Sequence, residues 1–282
     1  MNNKKWVAAW GNATSITDRK PENYAKNLSL RYPLYIPFNT EKIKIGLSNF
    51  CGTESITITK VTVAKSDGGR NIDSNTIKIV TFNGGKSVTI KEGTNIKSDE
   101  IEIEIKRGEF ISVTMYMEDF TEMRSGVIIT GPLSKGYYSI GDVTESENLP
   151  LNTTRNTNCF YFLTDVDVLT DKNNKSVVCF GDSITAQSWP DYLTLRLKEE
   201  GINNISVIRR AASGTRILRQ YDNITYDSYG LKGDIRFPNE IITTSAETVI
   251  IQHGINDIIH PVGRDVNPFR PMSDLPTVDE LI

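Results

Sequence analysis

The chain has 282 residues, 38% of them hydrophobic and 24% charged, a balance that allows a sizeable core and excludes disorder, collagen-like repeats and a disulfide-stapled miniprotein. With 32 basic against 35 acidic residues the net charge is −3, and no cluster of Lys or Arg changes that locally, so nucleic acid is not an expected partner. At about 150 residues per domain the length fits two domains.

In chain order, residues 42–117 alternate apolar and polar side chains, as in Ile43/Ile45/Leu47, Ile56/Ile58, Val61/Val63, Ile77/Ile79, Ile101/Ile103/Ile105 and Ile111/Val113/Met115. A period of two predicts strands with one wet face. Turn signals separate the runs, among them Asp67-Gly68-Gly69, Asn83-Gly84-Gly85 and Arg107-Gly108, and short strands punctuated this way make an antiparallel sandwich or barrel. A polar stretch at 144–158 leads to an apolar segment at 159–169, read as a last strand packing between the halves. The expected division is therefore 1–170, an all-β sandwich, and 171–282, a domain of different character.

From Ser176 onward short continuous apolar runs alternate with helical patterns. Val177 to Phe180, Ile205 to Ile208 and Thr248 to Gln252 read as buried strands. Trp189, Tyr192, Leu193 and Leu197 fall on one helical face, read as core, with Pro190 in the first turn and Gly201 past the end. Buried strands joined through helices predict a parallel sheet in an α/β three-layer arrangement, incomplete here and preceded by the sandwich. Ligands of such sheets bind beyond the carboxyl ends of the strands. Three loops reach that edge: Gly181-Asp182-Ser183-Ile184-Thr185, Ala211-Ala212-Ser213-Gly214-Thr215 and His253-Gly254-Ile255-Asn256-Asp257.

Ser183, in a tight turn between strand and helix, has the setting of a serine nucleophile; the alternative reading makes it the helix cap, a role open also to Asp182 and Thr185. Gly214 offers a backbone N–H that no Cβ blocks, or serves only as a turn glycine. Asn256 offers a neutral amide donor, or closes an Asx turn. Together the three would form an oxyanion hole with a nucleophile, the apparatus of acyl transfer. Asp257-Ile258-Ile259-His260 spells a literal Asp-x-x-His. His260 is read as lining the pocket or serving as base, Asp257 as bracing its loop, and His253 as structural. Arg209, Arg210 and Arg216 are expected on a solvated or ion-paired surface.

The ordered set GDSIT, Ser-Gly and GIND resembles blocks I, II and III of the SGNH (GDSL-type) hydrolase family over residues 176–257, and the upstream half resembles the β-rich N-terminal domain that some acylhydrolases carry. The resemblance implies a flavodoxin-like parallel sheet and a carboxylic ester hydrolase. Its nucleophile would be Ser183 and its oxyanion donors Gly214 and Asn256, acting on small-molecule or glycan acyl esters, acetyl foremost, with no metal or organic cofactor. Two departures stand out. Arg209 and Ala211 replace the Asn and Gly usual in block II, and the family's later Asp-x-x-His block, which supplies acid and base, is absent. The chain therefore reads as truncated relative to that family and impaired in turnover. The rival expectation is a non-catalytic glycan- or partner-binding sandwich with a vestigial hydrolase half, for which Tyr116, Phe120, Tyr137 and Tyr138 are candidate contacts.

Cys51, Cys159 and Cys179 are odd in number, widely spaced and set among apolar residues, which predicts buried free thiols and neither a disulfide framework nor a zinc site. The apolar stretch at 6–10 is too short for a secretory signal, and no run of about 18 apolar residues exists, so a membrane is not an expected partner and the expected compartment is cytoplasmic. An uncovered edge of a parallel sheet makes a second copy of the chain a further expected partner.

Overall fold

The computed structural model describes residues 3–16, 24–220, 229–242, 246–263 and 270–281. Antiparallel sheet dominates. One sheet orders its strands Lys4–Gly11, Leu163–Asp171, Thr40–Ser48 and Ile101–Ile105, with Asn95–Lys97 also paired to Thr40–Ser48. A second orders Thr154–Thr157, Gly136–Ile140, Leu28–Tyr35, Phe110–Met117, Lys60–Ser66 and Lys78–Ile79. Ile43, Ile45 and Leu47 of the first sheet and Leu30, Tyr32 and Leu34 of the second are buried in one apolar cluster, as the alternating pattern requires of strands sharing a core.

Strand Leu28–Tyr35 departs from the one-wet-face pattern because all eight of its residues are buried. Its Arg31 is held by the Thr114 hydroxyl and by the carbonyls of Arg70, Val143 and Ser146, at 2.8–3.0 Å. The 142–147 segment thus covers the outer face of this sheet. A buried guanidinium so fully bonded holds that cover in place, whereas an unpaired one would be costly. Residues 159–169 form two strands, Cys159–Tyr161 and Leu163–Asp171. The second lies inside the first sheet, between Lys4–Gly11 and Thr40–Ser48.

The expected α/β three-layer architecture is overturned. The fold is β-rich, and among the described residues parallel pairing is confined to three strands, Lys175–Gly181 in the centre with Ile205–Ala211 and Thr248–Gln252 on either side. Among the described residues five helices follow in this half: α1 (Ser183–Ala186), α2 (Trp189–Glu199), α3 (Gly233–Ile242), α4 (Ile255–Val262) and the single turn α5 (Val278–Leu281). A three-layer fold needs a wide parallel sheet covered by helices on both faces. Here strand Lys4–Gly11 of the antiparallel sheet shares one face of the small sheet, with Ala8 packing beside Val178, Phe180 and Ile208 and Ser206 Oγ donating to Ala8 O at 2.6 Å.

Two local readings also change. Thr248–Gln252 is an exposed outer strand and not a buried one. The apolar stripe of α2 is not core, since Tyr192 is 59% exposed. That helix docks instead through buried Pro190 and Asp191, the Asp191 carboxylate pairing with Arg209 and accepting from Leu133 N at 2.8 Å and Ser134 Oγ at 2.9 Å.

Candidate functional site

The register of the parallel strands fixes the site's frame. Gly181 is paired with Ala211 on one side and Gln252 on the other, so all three loops leave the sheet at one level. Neighbouring strands lie about 4.8 Å apart. The Ser183 loop is therefore flanked directly by those carrying Gly214 and Asn256.

Capping at the central loop falls to Asp182, whose side chain accepts from Ile184 N at 3.0 Å. Ser183, half-buried at the first helical position, keeps its hydroxyl out of the cap. Thr185, two residues further, ties α1 to the outer strand through Gln252 O at 3.5 Å and Gln252 Oε1 at 3.4 Å.

Thr215 is the hub of the second loop. Its hydroxyl donates to Ala212 O at 2.8 Å and so can only accept from His253 Nε2 at 3.2 Å and Arg236 Nη1 at 3.2 Å. Because Gly254 N donates to His253 Nδ1 at 2.9 Å, the imidazole is the neutral Nε2–H tautomer. Burial, and next the positive field of Arg236, push its pKa down to about 3. Asn256 Nδ2 donates to Thr215 O at 2.9 Å, which uses one of its two amide hydrogens, fixes the side chain and leaves the second. Gly214 has φ +78°, a conformation that glycine alone takes without strain. A Cβ at this position would also overlap the ring of Tyr229.

Beneath the loops Arg236 of α3 ties two strand ends together. Its guanidinium donates to Gly181 O at 3.4 Å and Arg210 O at 3.0 Å, pairs with Glu240 four residues on at 2.9 Å, and lies over the Phe180 ring at 4.9 Å. Asp182 is fully buried with Oδ2 lacking a hydrogen bond, 3.9 Å from His253 Nδ1. Desolvation raises its pKa, opposed by the bond from Ile184 N.

The literal Asp-x-x-His is not assembled as an acid–base pair. The Asp257 carboxylate accepts from Ile217 N at 2.7 Å and Leu218 N at 3.2 Å, tying its loop to the segment that follows Thr215. His260 is buried and stacks on Tyr229, with ring centroids 5.8 Å apart at 22°. Burial, then Arg216, lowers its pKa to about 4. No hydrogen bond joins Ser183 to either histidine among the described residues.

The arginines around the second loop are buried, not solvated. Arg209 pairs with Asp191, Arg210 with Asp165, and Arg216 with Asp274 at 3.0 Å. Thr215, Tyr229 and Arg236 went unnoticed in the sequence. Only the Gly214-Thr215 adjacency could have pointed to the first, since the other two reach the loops from segments that carry no motif. All three cysteines are buried and stand outside any disulfide, and burial pushes the Cys51 and Cys179 thiols up to about 12, which keeps these two protonated and unreactive. Of the aromatic candidates for a binding face, Phe120 is 73% exposed while Tyr137 is buried against Arg70, so the four do not form one platform.

No protein-family model matches the sequence, and no curated protein does. A solved structure of a family two carbohydrate esterase from Cellvibrio japonicus aligns over 90% of this chain and 80% of that one at 9% identity with a TM-score of 0.19, a likeness too slight to carry any argument. No group of three or more His, Cys, Asp or Glu poised for a metal ion occurs among the described residues. No helix among them is long and apolar enough to cross a membrane.

Proposed function

We propose that this protein is a serine-type carboxylic ester hydrolase acting on small acyl esters, acetylated carbohydrates included. The observation that carries the reading is the aligned triplet of loops, cross-bonded through Thr215, His253 and Asn256, with the Ser183 hydroxyl left out of the helix cap. Ser183 Oγ would attack the ester carbonyl, forming a carbon–oxygen bond while the π pair moves to the carbonyl oxygen. Gly214 N–H, Ser183 N–H and the remaining Asn256 amide hydrogen would hold that oxyanion. Collapse expels the alcohol, which takes up the serine proton by way of water, and a second water releases the acid and restores the serine. With no histidine bonded to it, Ser183 stays protonated at rest, and turnover is expected to be low. Loss of a triad member costs a factor of roughly 10⁴ to 10⁶.

Covalent labelling reads the site without needing fast turnover. An alkyl fluorophosphonate should add one adduct, seen by intact mass and mapped to Ser183. The adduct should vanish in Ser183→Ala and form about 10²- to 10³-fold more slowly in Asn256→Ala, the usual effect of one oxyanion donor. Labelling that survives Ser183→Ala, or no labelling at all, overturns the reading.

A further inference from the structure

We infer that Tyr229 sets the length of acyl chain this site admits, as an aromatic wall beside Gly214; the inference rests on the esterase reading above. Tyr229 lies just ahead of α3, half-buried, and its ring is so close to Gly214 that the glycine has no room for a Cβ. The ring also stacks on His260, nearly parallel to it at 5.8 Å. His260 follows Asn256 by four residues on α4, so the two share one helix face. Tyr229 therefore bridges the elements that bear the two loop donors, Gly214 on one side and the Asn256 face of α4 on the other.

A carbonyl oxygen held by those donors places its carbon one bond away, and the first atoms of the acyl chain one bond further. A ring in contact with the Gly214 backbone stands within van der Waals reach of a chain growing toward it. The wall is uncharged, since both its members are aromatic and His260 stays neutral. It would accept a methyl group and resist a propyl one. Apolar pockets discriminate single methylenes by about 10- to 200-fold.

The test is kcat/KM for p-nitrophenyl acetate, butanoate and hexanoate, counting only the hydrolysis that Ser183→Ala removes. Tyr229→Ala should raise the butanoate-to-acetate ratio by about 10-fold or more, while Tyr229→Phe, which keeps the ring, should retain the wild-type ratio. Tyr229→Leu and Tyr229→Trp extend the series should the alanine variant fail to fold, the ratio rising for the smaller side chain and falling for the larger. A ratio indifferent to side-chain size overturns the inference while leaving the esterase reading in place. So does a Tyr229→Phe variant that behaves like Tyr229→Ala, because the hydroxyl and not the wall would then be responsible. Absence of any Ser183-dependent hydrolysis overturns both.

Discussion

The antiparallel sandwich and the small parallel sheet differ in how much of their interior is polar. In the sandwich, apolar residues such as Ile43, Ile45, Ile111 and Val113 have no exposure at all, and period-two patterning puts them there. Around the parallel strands Val178, Phe180 and Ile208 are buried as usual, but on the outer elements the distribution is inverted. Helix α4 buries Asn256, Asp257, His260 and Pro261 while Ile255, Ile258 and Val262, on one face at i, i+3 and i+7, are 40–47% exposed. The adjoining outer strand exposes Ile250 and Ile251, and the buried interior carries the pairs Arg209–Asp191, Arg210–Asp165 and Arg236–Glu240. Apolar packing is non-directional and yields stability; buried hydrogen bonds and ion pairs are directional and fix positions. The loops proposed to do chemistry lie where direction matters.

The largest test of this contrast removes one charge from the inverted region. Asp191→Ala leaves Arg209 buried and unpaired and should cost about 3–5 kcal/mol, as much as the about 2–5 kcal/mol expected for Leu34→Ala in the sandwich. The double variant Asp191→Leu/Arg209→Met should recover most of the loss, because the cost lies in the orphaned charge. Urea unfolding of the three variants measures this, and an Asp191→Ala cost under about 1 kcal/mol would break the comparison.

Acid should act next, through the histidines of the parallel region. His253 and His260 have folded pKa values of about 3 and about 4, below the 6.5 of an unfolded histidine. Between those values the unfolded chain binds protons that the native one refuses, so stability is full above about pH 6.5 and falls as pH drops toward 4, with a slope of up to about 1.4 kcal/mol per pH unit for each histidine. Asp182, raised by burial, works in the opposite sense, gaining stability as pH falls through its folded pKa. Thermal melts from pH 7.5 to 4.5 should show the decline, and His260→Gln should flatten part of it. A melting temperature that is level across this range would count against both histidines as buried neutral groups.

The smallest effect is expected at the exposed outer strand. Ile251 is 59% exposed, so Ile251→Thr should change stability by less than about 0.5 kcal/mol, whereas the same substitution at fully buried Ile45 removes a core side chain and buries a hydroxyl. Equal losses at the two positions would mean that Ile251 is covered in solution.

Much of the sandwich was legible because its strands alternate, as at Ile101/Ile103/Ile105, where burial follows the letters one for one. Strands Lys4–Gly11 and Leu28–Tyr35 gave no such signal. Each is covered on more than one face, and Arg31 and Pro33 interrupt the apolar run that would otherwise betray the second. The three parallel strands were legible as apolar runs, but their width as a sheet was not, nor was the exposure of Thr248–Gln252. Of the candidate site, Ser183, Gly214 and Asn256 stood out by residue type and by their place after strands. The Asp257-to-His260 spacing misled, because spacing along a helix does not say which backbone groups will claim the carboxylate.

The sequence by itself determined which segments could be strands and which three loops carry a hydroxyl, an unhindered N–H and an amide, since periodicity and residue chemistry are local properties. Tertiary structure alone decided that those loops leave the sheet at one level, that Thr215 and Arg236 bind them together, and that Tyr229 rests on Gly214. Such contacts join residues far apart in the chain, and their partners are chosen by packing and by the need to satisfy every buried polar group, neither of which is written at any one position.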